Sequence, residues 1–184
     1  MADLTFAQVN ELLKYDPETG NLFWRERSPD MFTDGEQSAE RHCSWWNSRY
    51  SGKDAFTARD RGGYLSGTIF GRAYKAHRVI WLLHSGEWPE DDIDHINGDQ
   101  TDNRLENLRS VSAAENMKNQ RIYSNNTSGV AGVSWDKKRG KWRSHIMSNG
   151  HQKSLSRFAR LEDAIAVRKT AEIDYGFHKN HGRL

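Results

Sequence analysis

The stretch Asp94–Asn116, DHINGDQTDNRLENLRSVSAAEN, decides how the chain reads. It opens with a carboxylate beside a histidine, runs through a loop crowded with Asn and Asp, and closes on Ser112-Ala-Ala-Glu115. That tetrapeptide is a capping box, in which Ser and Glu each satisfy a backbone N–H of the other. A helix is therefore expected from about Ala113, with Asn116 in its first turn. Asp91 to Ile96 alternates polar and apolar and suits a short strand, and Leu105, Leu108 and Val111 mark a second apolar stretch able to pair back. The local order is strand, polar loop, strand, helix, which would bring Asp94, His95 and Asn116 to one place. A carboxylate, an imidazole and an amide oxygen together suit hydrated Mg²⁺ and a phosphodiester. The alternative is a solvated strand end followed by a loop that satisfies its own backbone. A calcium loop does not fit, because the acidic position five residues before its Gly is Ile93 here.

Asp94-His95-Ile96, then Asp102-Asn-Arg-Leu-Glu-Asn-Leu-Arg109, then Asn116-Met-Lys-Asn119 resembles the HNH homing endonucleases, in the branch with Asn at the third motif position. The resemblance implies a ββα-metal finger with Asp94 and Asn116 as ligands of Mg²⁺, or another divalent ion such as Mn²⁺. It also implies His95 as general base and Asn107 as the residue orienting it. Hydrolysis would then leave a 5′-phosphate and a 3′-hydroxyl. Arg104, Arg109 and Lys118 are the nearest cations and are candidate phosphate grips, together with Arg121 just beyond.

The whole chain narrows the choices. At 184 residues, 35% hydrophobic and 28% charged, it can build one domain or two small ones. Its single cysteine, Cys43, excludes an internal disulfide framework and a four-cysteine zinc site. No basic region followed by an apolar run opens the chain, and no segment is apolar enough to span a bilayer. A soluble, cytoplasmic protein is expected, with no membrane partner and no small-molecule cofactor. The formal charge of +2 hides an asymmetry: residues 1–60 sum to −4, residues 61–120 to −2 and residues 121–184 to +8. The basic last third points to a polyanionic partner, double-stranded DNA.

In residues 1–60, Thr5-Phe-Ala-Gln8 caps a short helix, Asp16-Pro-Glu-Thr-Gly20 is turn chemistry, and Leu22-Phe-Trp24 reads as a strand. From Ser28 to Ser51 no period is sustained, and a long, partly ordered loop is expected. The tryptophans Trp45 and Trp46 there would pack beneath the loop or stack on bases. The phrase Tyr15–Trp24 also resembles the front of many phage-encoded HNH proteins, which implies a phage or mobile-element origin. Residues 61–92 read as a hairpin turning at Gly71-Arg72, then a helix from about His77 to His84 stopped by Ser85-Gly86. His77 has two readings, packing or capping at the helix start and a contact with the phosphate or a metal-bound water. His84 suits the negative end of the helix dipole.

Arg121 to Gly129 is a linker by composition. Three strands follow at about 130–135, 141–147 and 151–158, joined by hairpin turns, and a helix runs over 161–175. Trp142, Ser144 and Ile146 share one face of the middle strand, and Lys141, Arg143, His145 and Met147 the other. Gly132-Val-Ser-Trp135, Gly140-Lys-Trp142, Ile146, Leu155 and Phe158 before an Ala-rich helix resemble the Apetala-two type DNA-binding domain of plant ethylene-response factors. On the exposed face this chain carries Ser134, Arg143, His145, Met147, Gln152 and Ser154 where the plant domains use Arg and Trp. Lys137, Lys138, Arg139, Lys141, Arg143, His145, Lys153 and Arg157 are the expected DNA contacts.

The expectation is therefore an α+β protein. It has a lead-in with a long loop over 1–60 and an HNH nuclease domain over 61–120. A linker over 121–128 then leads to a basic DNA-binding domain of three antiparallel strands and one helix over 129–184. Its function is metal-dependent DNA cleavage, by a monomer. The rival readings are an inactive DNA-binding regulator and a nucleic-acid-binding accessory protein.

Overall fold

The Thr5 hydroxyl accepts from the Gln8 N–H at 3.3 Å, and the Gln8 side chain accepts from the Thr5 N–H at 2.9 Å. That reciprocal cap starts helix α1, Phe6–Leu12, which buries Val9 and Leu12. The structure is a computed structural model that describes residues 3–112, 115, 116, 118, 122, 126–148, 150–177, 181 and 182. It divides into two compact units, Met1–Ser110 and Val111–Leu184.

In the first unit, β1 (Leu13–Asp16) and β2 (Asn21–Trp24) pair antiparallel, and β3 (Asp54–Ala55) joins β2. Asp16 shapes the turn between β1 and β2 by accepting from the Glu18 N–H and the Thr19 hydroxyl. The expected long loop over 28–51 is not a loop. Pro29–Met31 forms a 3-10 turn, and Ala39–Tyr50 is helix α2. Ser38 and Asp34 accept from the Arg41 and Ala39 N–H groups at its start. Cys43 and Asn47 both donate to the Arg27 carbonyl, and the Arg27 guanidinium lies 3.7 Å from the Trp46 ring centroid. Only Cys43 of this helix is buried, so no apolar stripe announces it in the sequence. Trp46 packs edge-on against Trp24, whereas Trp45 stays exposed.

A second small sheet joins β4 (Ala58–Arg59), β5 (Leu65–Ile69) and β6 (Arg72–Lys75) in that order. Its hairpin turns at Phe70-Gly71, one residue before the expected place, with φ of 48° and 76°. Helix α3, Ala76–Ser85, buries Val79, Ile80 and Leu82 and ends on Gly86 at φ 85°. Then come β7 (Asp92–His95), a 3-10 turn over Leu105–Asn107 and β8 (Leu108–Val111), with β7 and β8 paired. Val9, Leu13, Leu22, Phe56, Ile69, Ile80, Leu82, Ile93 and Leu108 belong to one buried cluster. Packing is thus continuous across residue 60, where the sequence suggests a border.

In the second unit, Glu115 and Asn116 are helical behind the Ser112 cap, as the capping box predicts. Ala113, Ala114 and most of the expected linker lie outside the described residues. Strands β9 (Val133–Asp136), β10 (Lys141–Ser148) and β11 (His151–Phe158) form an antiparallel sheet in the order β11-β10-β9, followed by helix α4, Leu161–Asp174. Ser144 pairs with Ser156 and His145 with Ser154, so Leu155 is the extra residue of a bulge. Val133, Ser144 and Ile146 are buried, as are Ala164 and Ala171 of α4. So is Arg168, whose Nε donates to the Ala131 carbonyl at 2.8 Å and whose Nη2 lies 3.4 Å from Glu172. Among the described residues, no helix is long and apolar enough to cross a membrane.

Candidate active site

His95 ends β7 with 3% of its surface exposed, and its Nε2 lies 3.0 Å from Asn103 Oδ1. The Asn103 amide points this way because its Nδ2 donates to the Thr101 carbonyl at 3.4 Å. An amide oxygen accepts, so Nε2 carries the ring proton and Nδ1 is the basic nitrogen. Burial pushes the His95 pKa below its ordinary value, opposed by the Asn103 bond and by Asp94, Asp102 and Asp99. The ring is therefore neutral near pH 7, the state a general base requires.

The loop holding Asn103 is braced from within and from outside. Asn97 accepts from the Asp99 N–H, and Asp99 from the Thr101 N–H and hydroxyl. Arg104 donates through Nε and Nη2 to Asp102, both at 2.8 Å, and reaches Glu106 at 2.9 Å. Those bonds hold the Asp102 carboxyl down at about 2. From the β1–β2 hairpin, the Tyr15 hydroxyl donates to the Asn103 carbonyl and accepts from the Leu105 N–H, each at 3.1 Å. Gly20, at φ 77°, abuts the same loop, where a Cβ would stand 2.7 Å from the Arg104 nitrogen.

Asn107, expected as the residue orienting His95, is buried but braces the loop. Its Oδ1 accepts from the Asn97 N–H at 2.9 Å, its Nδ2 donates to the Asp102 carbonyl at 2.7 Å, and its carbonyl accepts from the Ile96 N–H. The amide on the imidazole is that of Asn103. Asp94, beside His95, accepts from Arg109 Nε and Nη2 at 3.1 and 2.8 Å. Arg104 and Arg109, expected as phosphate grips, are thus both engaged by carboxylates. Asn116 belongs to the second unit, where it is half-buried and its N–H donates to the Ser112 carbonyl.

The other expected DNA contacts also lie in that second unit. Ser134, Lys137, Lys138, Arg139, Arg143 and Arg157 line an open depression of about 500 Å³ on the sheet, with Asp136 bridging Arg139 and Arg157. Lys141 and Lys153 are exposed. His145 departs from the expected exposed face. It is half-buried, and burial lowers its pKa. Lys118 donates to the Tyr175 carbonyl at 2.9 Å, capping the end of α4. Arg121 lies outside the described residues.

A family model described as HNH endonuclease matches residues 74–118, from β6 through α3, β7 and the braced loop to β8 and Lys118. Protein 3.8 of Escherichia phage T7 is 33% identical over 108 residues, covering 58% of this chain and 89% of the phage protein. The chain belongs to that phage family and carries an HNH endonuclease domain. Such a domain points to a nuclease acting on DNA. No solved structure matches the chain. The HNH match ends at Lys118, and the expected Apetala-two type resemblance of residues 129–184 is not supported by these comparisons.

HNH nucleases generally use a divalent metal ion, and the donors in this HNH domain suit a hard one. Asp94 offers a carboxylate oxygen, a ligand type of Mg²⁺ and Mn²⁺, whereas Asn116, the other expected ligand, stands in the second unit. Among the described residues no three His, Cys, Asp or Glu side chains form a metal cluster, so an ion held here would complete its shell with water and phosphate oxygens. Asn103, Tyr15 and Gly20 are the residues shaping the surroundings of His95 that spacing alone misses. The signal for the last two is present in Tyr15-Asp-Pro-Glu-Thr-Gly20, but its target lies more than eighty residues away.

Proposed function

We propose that the protein is a homing-type HNH endonuclease that hydrolyses DNA phosphodiester bonds with a divalent metal, Mg²⁺ or Mn²⁺. The observation that carries this reading is the neutral His95 imidazole, pinned at Nε2 by Asn103 and adjacent to the Asp94 carboxylate. His95 Nδ1 takes a proton from the attacking water, and Asn103 keeps the Nε2–H tautomer throughout. Asp94 and, on the family spacing, Asn116 would hold the divalent ion, which would supply positive charge to the phosphate. Arg109 fixes the Asp94 carboxylate through two hydrogen bonds. The basic sheet of the second unit holds the phosphates of double-stranded DNA, mainly through Lys137, Lys138, Arg143 and Arg157. The division of labour is thus cutting by the HNH domain and addressing by residues 129–184.

Purified protein should nick or cut plasmid DNA in Mg²⁺, leaving 5′-phosphate and 3′-hydroxyl ends. His95→Ala should slow cutting about a thousandfold while DNA binding persists. Because burial lowers the His95 pKa, the base is lost as pH falls through a value below the ordinary 6.5, so the acid limb of the rate profile should be centred below pH 6.5. Robust cleavage by His95→Ala, or in excess chelator, overturns the mechanism.

A further inference from the structure

Asn103 holds one atom of the His95 ring, and one hydrogen bond does not orient a plane. The terminal torsion of a histidine is broad, so a ring tied only at Nε2 can swing its Nδ1 about that bond. A second restraint stands beside it. His77, in the first turn of α3 and 4% exposed, places its ring centroid 5.2 Å from that of His95 with the planes at 89°. Tyr64 closes the triangle at 5.0 Å from His77 and 5.7 Å from His95. Lys75 caps the outer side, its Nζ 4.2 Å from the Tyr64 ring centroid and 3.8 Å from Asp60. Asp60 in turn accepts from the Gly62 and Tyr64 N–H groups, which locks the approach to β5.

Building on the proposed nuclease reading, we propose that His77 is a positioning residue for His95: with Tyr64 it forms an aromatic wall that fixes the plane of the imidazole Asn103 has pinned. The wall works through ring contact. His77 Nδ1 is buried without a hydrogen-bond partner among the described residues, so no bond at that atom is available to do the work. Burial also holds His77 neutral down to about pH 3, so at working pH it adds no charge beside the base. Edge-to-face contact at this separation is the favoured geometry for two aromatic rings and resists rotation of either one. The arrangement follows from the sequence order: β6 ends on Lys75, α3 starts at Ala76, and His77 is therefore carried into the core beside the end of β7.

The test compares His77→Ala and His77→Phe in the full chain. In the wild type, ¹⁵N spectra of the histidine rings should show His95 as one tautomer with Nε2 protonated. His77→Ala should leave Nε2 protonated but broaden the His95 ring signals through exchange between ring orientations, and His77→Phe should keep them as sharp as in the wild type. In single-turnover cleavage at saturating DNA with Mg²⁺, His77→Ala should lose about tenfold to hundredfold in rate. Half-saturating DNA should stay within about twofold, and His77→Phe should return to within about threefold of wild type. Tyr64→Leu removes the other wall ring and should repeat the loss if His77→Ala fails to fold. Wild-type rate in His77→Ala, equal slowing in both His77 variants, or a loss confined to DNA affinity overturns the proposal. If the wild type does not cut DNA at all, the nuclease reading fails, and the ring spectra still decide whether His77 fixes His95.

Discussion

Residues 1–110 carry 13 basic and 19 acidic side chains around a core of Leu, Ile, Val and Phe; residues 111–184 carry 14 and 6 around Val133, Ile146, two alanines and the Arg168–Glu172 pair. The first unit has apolar side chains enough to hold a histidine ring at 3% exposure with a named partner on one nitrogen and rings at its side. The second has a three-stranded sheet on which Lys137, Lys138, Arg139, Arg143 and Arg157 line one open depression. Precision needs close packing, since a ring held by many contacts has few alternatives. Affinity for a polyanion needs only charge in roughly the right place, and it is tunable by salt. On the proposed reading the first half cuts and the second grips, and each difference can be measured.

The largest expected effect lies in the first unit. Asn103→Ala removes the acceptor from His95 Nε2, and cleavage at saturating DNA should fall about tenfold to hundredfold with DNA affinity unchanged. A matching fall for Asn107→Ala but not Asn103→Ala would restore the assignment that the family resemblance makes. Next comes Gly20→Ala. It forces a Cβ onto φ 77° and against the Arg104 nitrogen, so the first unit should lose about 2 kcal/mol, seen as a lower denaturant midpoint. If that unit is unmoved, the hairpin is not bracing the loop.

These two residues also show where the sequence stops being legible. The Asp94-His95 pair, the capping boxes at Thr5 and Ser112, the hairpin before α3 and the three strands with α4 follow from periodicity and cap chemistry within about fifteen residues. Helix α2 does not, because its contacts run back to the Arg27 backbone and its only buried residue is Cys43. Nor does the choice between Asn103 and Asn107. Both are amides in one loop, and which of them meets the imidazole depends on a curl braced by Tyr15 and Gly20 from the other end of the unit. His145 falls on the outer face by alternation alone, yet it is half-buried, with its N–H on the Gly132 carbonyl next to the Leu155 bulge.

In the second unit the effect should appear in salt dependence. The double variant Arg143→Ala with Arg157→Ala removes two cations from the lined depression. The slope of log affinity against log salt should flatten by about two, while the cleavage rate at saturating DNA holds. An unchanged slope would mean that the basic sheet is not the address, and the contrast between the halves would reduce to one of composition.

The smallest effect returns to the first unit and to strain rather than charge. Phe70 occupies a hairpin turn at φ 48° with 67% of its surface exposed, so the ring contributes little packing while the backbone bears a cost that Asn tolerates better. Asn-Gly is the pair such a turn favours. Phe70→Asn should therefore stabilise the chain by about 0.5–1 kcal/mol, read as a higher denaturant midpoint at constant slope. Cleavage should be untouched, because the turn lies five residues from Lys75 and six from Tyr64, at the far end of the hairpin from the His77 wall. A variant that is more stable but cuts more slowly would show that the exposed ring is kept for the DNA. The first unit would then share in the gripping that the comparison assigns to the second.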